Sequence, residues 1–359
     1  MRITALEHCV IRMPLQEPYT IAYETVSNAV NVLVWIRTDS GITGIGVAAP
    51  DPPVTGETVE AVTEALDGVV RDLLVGEDPR RVAYLLERVT KALPVHASTQ
   101  AAVDIALHDL LARVARLPLY LLLGGYRERF ATSITIGILP LDLTLEAARG
   151  YVGRGFRVLK IKGGHDVELD IERLHRVRET VGPEIELRFD ANQGYTVEQA
   201  LHFTRAVAGA RLEIFEQPTP ADHPEQLGRV SESSALPVMA DEGLLTLRDA
   251  FRLAADERAD MVNIKLMKVG GIARARRIDA VARSARLESM IGCMDECALG
   301  IAGGLAFALS SANVYYADLD GHFDLLQDPT AGAVRVVDGE LIPSSEPGLG
   351  VELQPEDVA

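Results

Sequence analysis

Six ionisable residues stand at the ends of short apolar runs in this chain. Lys160 and Lys162 end RVLKIK, Asp190 closes EIELRFD, Glu216 closes LEIFE, Asp241 follows PVMA, and Lys265 closes MVNIK. From Lys162 onward they are separated by steps of 28, 26, 25 and 24 residues. Each step is the length of one strand plus one helix, so each unit delivers one ionisable group to the same rim. Three carboxylates brought together from neighbouring strands make a site for a hard cation. Magnesium takes oxygen ligands octahedrally and keeps positions open to water or substrate. One lysine pair precedes the carboxylates and another lysine follows them. Around a closed eight-stranded ring the second and sixth strands lie on opposite sides of the mouth, so two amines face a bound carbon from both directions. Singly, each residue has a plainer reading. Lys-x-Lys is a solvated pair, an Asp at a strand end is a helix N-cap, and Glu216 before Gln217-Pro218 starts a loop. It is their common rim and order that argue for one site.

The elements that must position them are legible as an alternation. The runs SITIGIL, RVLKIKG, EIELRFDAN, LEIFEQP, PVMADE, MVNIKLM, SMIGCM and VYYADLD are separated by seven segments long enough for helices. Such alternation calls for a parallel sheet with helices outside, and eight strands can close into a barrel whose active site lies at the strands' C-terminal ends. An open doubly wound sheet is the rival, but it normally carries a Gly-rich phosphate loop after its first strand, which this chain lacks. Ahead of the alternation, 30–38 and 42–49 read as antiparallel strands joined at Asp39-Ser40-Gly41. Amphipathic helices are predicted over 58–74, over 79–92 opening at Asp78-Pro79, and over 98–115 with Ser98 as N-cap. After Asp320 two short strand-like runs replace an eighth helix and are expected to fold back on the N-terminal domain. The expected fold is α/β, a TIM-type (β/α)7β barrel over 126–320. An α+β capping domain covers 1–125, and 321–359 returns to it.

The chain has 359 residues, 48% hydrophobic and 24% charged, the composition of a soluble globular protein. A net charge of −17 disfavours nucleic acid and an anionic membrane as partners. An acidic surface is first of all a solvated one; attraction of cationic substrates is the sharper reading. No window of about 18 uncharged apolar residues is present, so no membrane span is expected. The start, MRITALEHCVIRMP, is charged where a leader would be apolar, and a cytoplasmic location is expected. Cys9, Cys293 and Cys297 are too few and too scattered for a disulfide framework or a zinc site. Composition leaves monomer and homo-oligomer equally open.

Together, Lys160-Ile161-Lys162, Asp190-Ala191-Asn192, Glu216-Gln217-Pro218, Asp241-Glu242, Asn263-Ile264-Lys265 and the segment AAVDIALHDLLARVARLPLYLLLGG resemble the muconate-lactonizing subgroup of the enolase superfamily. The resemblance runs over nearly the whole chain. A mandelate-racemase-type member is expected to carry histidine on its base-bearing side, and Lys265 favours the lysine-pair subgroup instead. The resemblance implies Mg2+ on Asp190, Glu216 and Asp241, with the substrate carboxylate on the metal. It makes Lys162 and Lys265 the acid and base on opposite faces, and sets Lys160 at the carboxylate oxygen. A free lysine titrates near ~10.4, so a basic Lys162 needs partial burial and nearby cations to lower its pKa.

Within the subgroup the last strand is the best clue. Asp318-Leu319-Asp320 puts two carboxylates on one side, which suits a substrate ammonium, and in dipeptide epimerases this pattern resembles the clamp for a dipeptide's α-amino group. The reaction implied is a 1,1-proton transfer at the α-carbon of the C-terminal residue, with Thr135, Cys293 and Asp295 lining the pocket. For Cys293 a packed core residue is an equal reading. The segment Pro18–Ser27 corresponds to the family's specificity loop. Glu24 stands there where Ala-Glu epimerases place an arginine, and Ala298 where they offer a lysine. With Asp51 and Asp295 nearby, the resemblance implies a preference for Lys- or Arg-containing dipeptides, hydrophobic ones next, and Ala-Glu disfavoured. Runners-up are an N-acylamino acid racemase, an o-succinylbenzoate synthase and a muconate-type cycloisomerase; outside enzymes, a non-catalytic metal- or peptide-binding barrel.

Overall fold

The computed structural model describes residues 1–20 and 25–358. Strands β1 (Ile3–Thr20), β2 (Thr25–Thr38) and β3 (Thr43–Ala48) form an antiparallel sheet, with Gly41 turning the β2–β3 hairpin at φ 79°. The helices that follow are α1 (Pro52–Thr55), α2 (Val59–Ala65), a π-helical turn Leu66–Val70, α3 (Arg71–Leu74), α4 (Val82–Ala92), α5 (Ala97–Ala115) and α6 (Leu119–Leu122). Helix α5 is apolar on almost every face because it is covered on every side, by the sheet and by the barrel. Gly44 and Gly46 of β3 make that approach close. A Cβ there would lie 2.2 Å from Ala106 O and 2.1 Å from Ala102 O.

Two predicted helix starts are corrected. The second helix begins at Val82 rather than at Pro79, because the Asp78 carboxylate takes the Arg80 N–H and guanidinium and closes a separate turn first. Ser98 is not the N-cap of α5 but its buried second residue. Its N–H and that of Thr99 donate to the carboxylate of Glu57, a charged cap supplied from the segment before α2.

Next come β4 (Phe130–Ala131), β5 (Ile134–Ile136), α7 (Leu141–Gly153), β6 (Val158–Lys162), α8 (Val167–Val181), β7 (Glu186–Asp190) and α9 (Val197–Ala206). Then β8 (Leu212–Glu216), α10 (Pro224–Ser233), β9 (Val238–Ala240), α11 (Leu247–Ala255), β10 (Met261–Lys265), α12 (Leu266–Val269), α13 (Ile272–Ser284), β11 (Glu288–Gly292), α14 (Ala298–Ser310) and β12 (Val314–Asp318). Strands β5 to β12 pair in parallel in chain order. The ring closes where Ser133 N–H donates to Ala317 O at 3.0 Å. The fold is a (β/α)7β barrel with an α+β cap.

Period-two alternation sorts the strand residues. Phe189 and Phe215 face the helix layer, where their rings meet Phe203 of α9 at 4.5 and 4.8 Å. The alternate residues face the axis. Ile214, Met239, Met261 and Met290 pack with Tyr316 as an apolar plug inside the barrel, and the polar rim stands two or four residues further along, as at Glu216, Asp241, Asp318 and Lys265.

After β12 the hairpin β13 (Val334–Val337) and β14 (Glu340–Pro343) pairs with β4. The chain then returns to the cap. Gly348 exchanges backbone hydrogen bonds with Leu117 and Leu119, Leu349 N–H donates to Asp109, and the Trp35 indole donates to Leu353 O. Gln16 N–H donates to Asp324 O and Leu326 N–H to Pro14 O, which ties the far end of β1 to the loop after β12. Among the described residues no helix is long and apolar enough to cross a membrane.

Candidate active site

Strand ends deliver the six residues to one place. Lys162, Asp190 and Glu216 are in direct register across β6, β7 and β8, each the last residue of its strand. Asp241 follows β9 by one residue, and Lys265 ends β10. Carboxylate oxygens of Asp190, Glu216 and Asp241 all lie within 4.8 Å of one another, and among the described residues no other such acidic cluster occurs. All three residues are buried.

Three buried carboxylates need compensating charge, and lysines bring some of it. Lys160 Nζ sits 3.1 Å from Asp190, 2.8 Å from Glu216 and 2.7 Å from Asp318. Burial works against its ammonium form, but Asp318, Glu216 and Asp190 outweigh that and hold its pKa well above the ordinary lysine value. Lys162 Nζ donates to Asp190 Oδ2 at 2.7 Å, and Lys265 Nζ lies 2.8 Å from Asp241 Oδ2. Because β6 and β10 are four strands apart in a ring of eight, the two amines enter from opposite sides. Despite burial, Asp190 and Asp241 are pulled below the usual carboxylate range by these lysines. Glu216 is pushed up to about 8 by burial and by Asp190. An all-oxygen donor set this close and this dry fits a hard divalent cation, which would let all three ionise together.

At the neighbouring rim, Asp318 Oδ1 accepts from Ser133 Oγ at 2.6 Å, and Asp320 Oδ2 accepts from Thr135 N–H at 2.6 Å. Burial and the Asp318 charge push Asp320 up to about 7, while Asp318, despite burial, is held at about 2 by Lys160. A cavity of about 190 Å³ opens over this group. Thr135, Lys160, Lys162, Lys265, Cys293, Asp295, Asp318, Asp320 and Asp51 all line it. Cys293 is therefore not a core residue alone; its Sγ lies 3.9 Å from Asp320 Oδ1. Glu24 lies outside the described residues. Ala298 is buried at the start of α14 and is not part of the cavity wall.

Several residues to which the sequence assigned no role are brought in by the structure. Lys268, buried on α12, donates to Asp241 Oδ1 at 2.6 Å and to Asn263 O at 3.1 Å. Asn263 Nδ2 donates to Glu216 Oε1 at 2.7 Å. Gln217, at positive φ, accepts from the N–H groups of Asp241 and Gly243. Glu242 and Asp324 also line the cavity. For Lys268 a signal existed, since NIKLMK puts it one helical turn beyond Lys265.

Comparison with known proteins follows the same lines. Residues 5–124 match the mandelate racemase / muconate lactonizing enzyme N-terminal domain, and residues 143–358 the enolase C-terminal domain-like family. The chain is 46% identical over 341 residues to the L-Lys-D/L-Arg epimerase of Desulforapulum autotrophicum, spanning 95% of this chain and 96% of that one. The dipeptide epimerase of Methylococcus capsulatus, solved with Mg and the dipeptide L-Arg-D-Lys, superimposes with a TM-score of 0.93. It is 41% identical and covers 98% of this chain and 99% of its own. The substrate-liganded L-Ala-D/L-Glu epimerase of Bacillus subtilis superimposes at 0.95 with 36% identity, covering 98% of each chain.

Proposed function

The chain belongs to the mandelate racemase / muconate lactonizing enzyme family of the enolase superfamily, and on that footing we propose that it is a Mg2+-dependent dipeptide epimerase preferring cationic dipeptides. One observation carries the reaction type. Two lysines reach a buried triad of carboxylates from opposite sides of a closed ring, with a second acidic pair beside them.

Asp190, Glu216 and Asp241 would hold the cation, which when bound draws charge from the substrate carboxylate and so acidifies the adjacent C–H bond. Lys162 Nζ and Lys265 Nζ face the α-carbon from either side. The neutral amine takes the proton from one face and the opposite ammonium returns a proton to the other, so one C–H bond breaks, one forms, and the centre inverts. Lys160, kept as ammonium by its carboxylates, holds negative charge at the carboxylate end. Asp318 and Asp320 hold the α-ammonium group and set which carbon lies between the lysines.

The clamp yields a prediction. Asp320→Asn is expected to raise KM for free dipeptides about 10- to 100-fold, the worth of a charge-assisted hydrogen bond, with a smaller effect on kcat. Asp318→Asn should lower kcat as well, since Asp318 also holds Lys160. N-acetylated dipeptides should be poor substrates. Because burial and Asp318 push the Asp320 carboxyl up to about 7, its charge is lost as pH falls, so kcat/KM should rise around pH 7 and Asp320→Asn should remove that limb. Better turnover of the acetylated form would replace this reading with an acylamino acid racemase.

Substrate preference rests on the relatives and on the carboxylates of Asp51, Asp295 and Asp324, which line the cavity wall beyond the clamp. A dipeptide library in D2O, read by mass shift, should label Lys- and Arg-containing dipeptides first, with kcat/KM at least ~10-fold above Ala-Glu, the discrimination of about one charge contact. Equal or better use of Ala-Glu would refute the cationic preference.

A further inference from the structure

Lys265 ends β10, and little chain separates it from the next anchored element. Helix α12 runs only four residues before Gly270 and Gly271 turn the chain into α13. This joint is held from the cap. Asp104, buried in the middle of α5, sends both carboxylate oxygens across the domain boundary. Ile272 N–H donates to Oδ1 at 2.8 Å and Ala273 N–H to Oδ2 at 3.1 Å. These are the first two residues of α13, whose N–H groups have no partner within the helix. Gly271, at the N-cap position with φ 98°, has no side chain to serve them. The fit is tight, for a Cβ on Gly271 would lie 2.4 Å from Asp104 Cβ. One turn along α5, His108 Nδ1 lies 2.8 Å from Asp104 O and 3.1 Å from Asp104 Oδ1. Ser98 Oγ of α5 reaches Met267 Sδ of α12 at 3.9 Å. Lys268 ties α12 to Asp241, so α12 is clamped between the cap and the metal-binding rim.

Lys162 is braced differently. Asp170 of α8 accepts from Gly164 N–H at 2.8 Å and from the Tyr195 hydroxyl at 2.6 Å, and it pairs with Arg173. All of these partners belong to the barrel.

We propose that Asp104 is a positioning residue for Lys265, so that the cap governs one face of the proton transfer and the barrel the other. This rests on the two-lysine reading above. The test is α-proton exchange in D2O by the full chain with Mg2+, followed separately for the two C-terminal stereoisomers of a Lys-Arg dipeptide. Faces are assigned with Lys162→Ala and Lys265→Ala. In Asp104→Asn, exchange of the stereoisomer facing Lys265 should fall about 10- to 100-fold, the cost of misplacing a catalytic group by up to ~1 Å. The stereoisomer facing Lys162 should still exchange at nearly the wild-type rate but invert slowly. Gly271→Ala strains the joint from the barrel side and should give the same one-sided loss, and Asp170→Asn the opposite one. If Asp104→Asn does not fold, Gly271→Ala decides. Equal losses on both faces, or no loss, in a chain whose wild type exchanges both stereoisomers would overturn the inference. A wild type that exchanges neither removes the functional reading, and this inference with it.

Discussion

Lys162→Ala and Lys265→Ala are each expected to lower the rate of epimerisation by at least ~10³-fold, within the range that a positioned general acid or base contributes. Inversion needs both amines, since one must be neutral and the other protonated on opposite sides of the same carbon. Removing either leaves a half-reaction. The variant that keeps Lys162 should still wash deuterium into the stereoisomer facing Lys162, without inversion, and the variant that keeps Lys265 should do so for the other. Circular dichroism or polarimetry follows inversion, and mass shift follows exchange. Each amine pairs with a buried carboxylate, so the variants' melting temperatures are to be compared with Mg2+ bound, where the cation supplies the charge the lysine leaves. Full epimerase activity in either variant would refute the assignment.

Removing the cation should be as severe. Chelator-treated protein should be inactive and regain activity with Mg2+. Glu216→Gln should weaken Mg2+ binding by roughly 100-fold or more, beyond what loss of a group merely supporting a ligand costs. The surroundings of Glu216 are the reason for this expectation. Asn263 Nδ2 donates to one Glu216 oxygen and Lys160 Nζ lies 2.8 Å from the other, so an amide there sets its NH2 against a donor or against the cation. A readout independent of turnover exists, because a ligand at 100 times its Kd stabilises the folded state by about 2.7 kcal/mol. Mg2+ should therefore raise the melting temperature of the wild type and leave Glu216→Gln nearly unmoved. Undiminished turnover after chelation would sink the metal assignment.

What the sequence disclosed and what it hid divide along one physical line. Period-two strands and a strand-plus-helix step of about 25 residues place an ionisable residue at each strand end, so Lys162, Asp190, Glu216, Asp241 and Lys265 were found by counting. The eight strands follow from the same pattern, whereas the open sheet was set aside by the missing Gly-rich loop. Groups that act through long-range partners left no local trace. Glu57 replaces Ser98 as the cap of α5 from 41 residues away, and Asp104 meets Ile272 across 168. Lys268 sits on a four-residue helix rather than at a strand end. Asp324 enters the cavity wall because the end of β1 pairs with the loop after β12, a contact that no periodicity predicts. The β13–β14 hairpin shows strand character in sequence, but its partner β4 is too short to announce itself.

The return of the tail to the cap bears on how the chain is made. Trp35, the single tryptophan, donates its buried indole N–H to Leu353 O at 2.8 Å, 318 residues later. At a synthesis rate of about 5–20 residues per second, the indole emerges roughly 15–60 s before its acceptor. This sheet, translated ahead of the barrel, is thus among the last elements to be completed. Trp35 on its central strand must wait, with its donor solvated or chaperoned, until the whole barrel has been threaded out behind it.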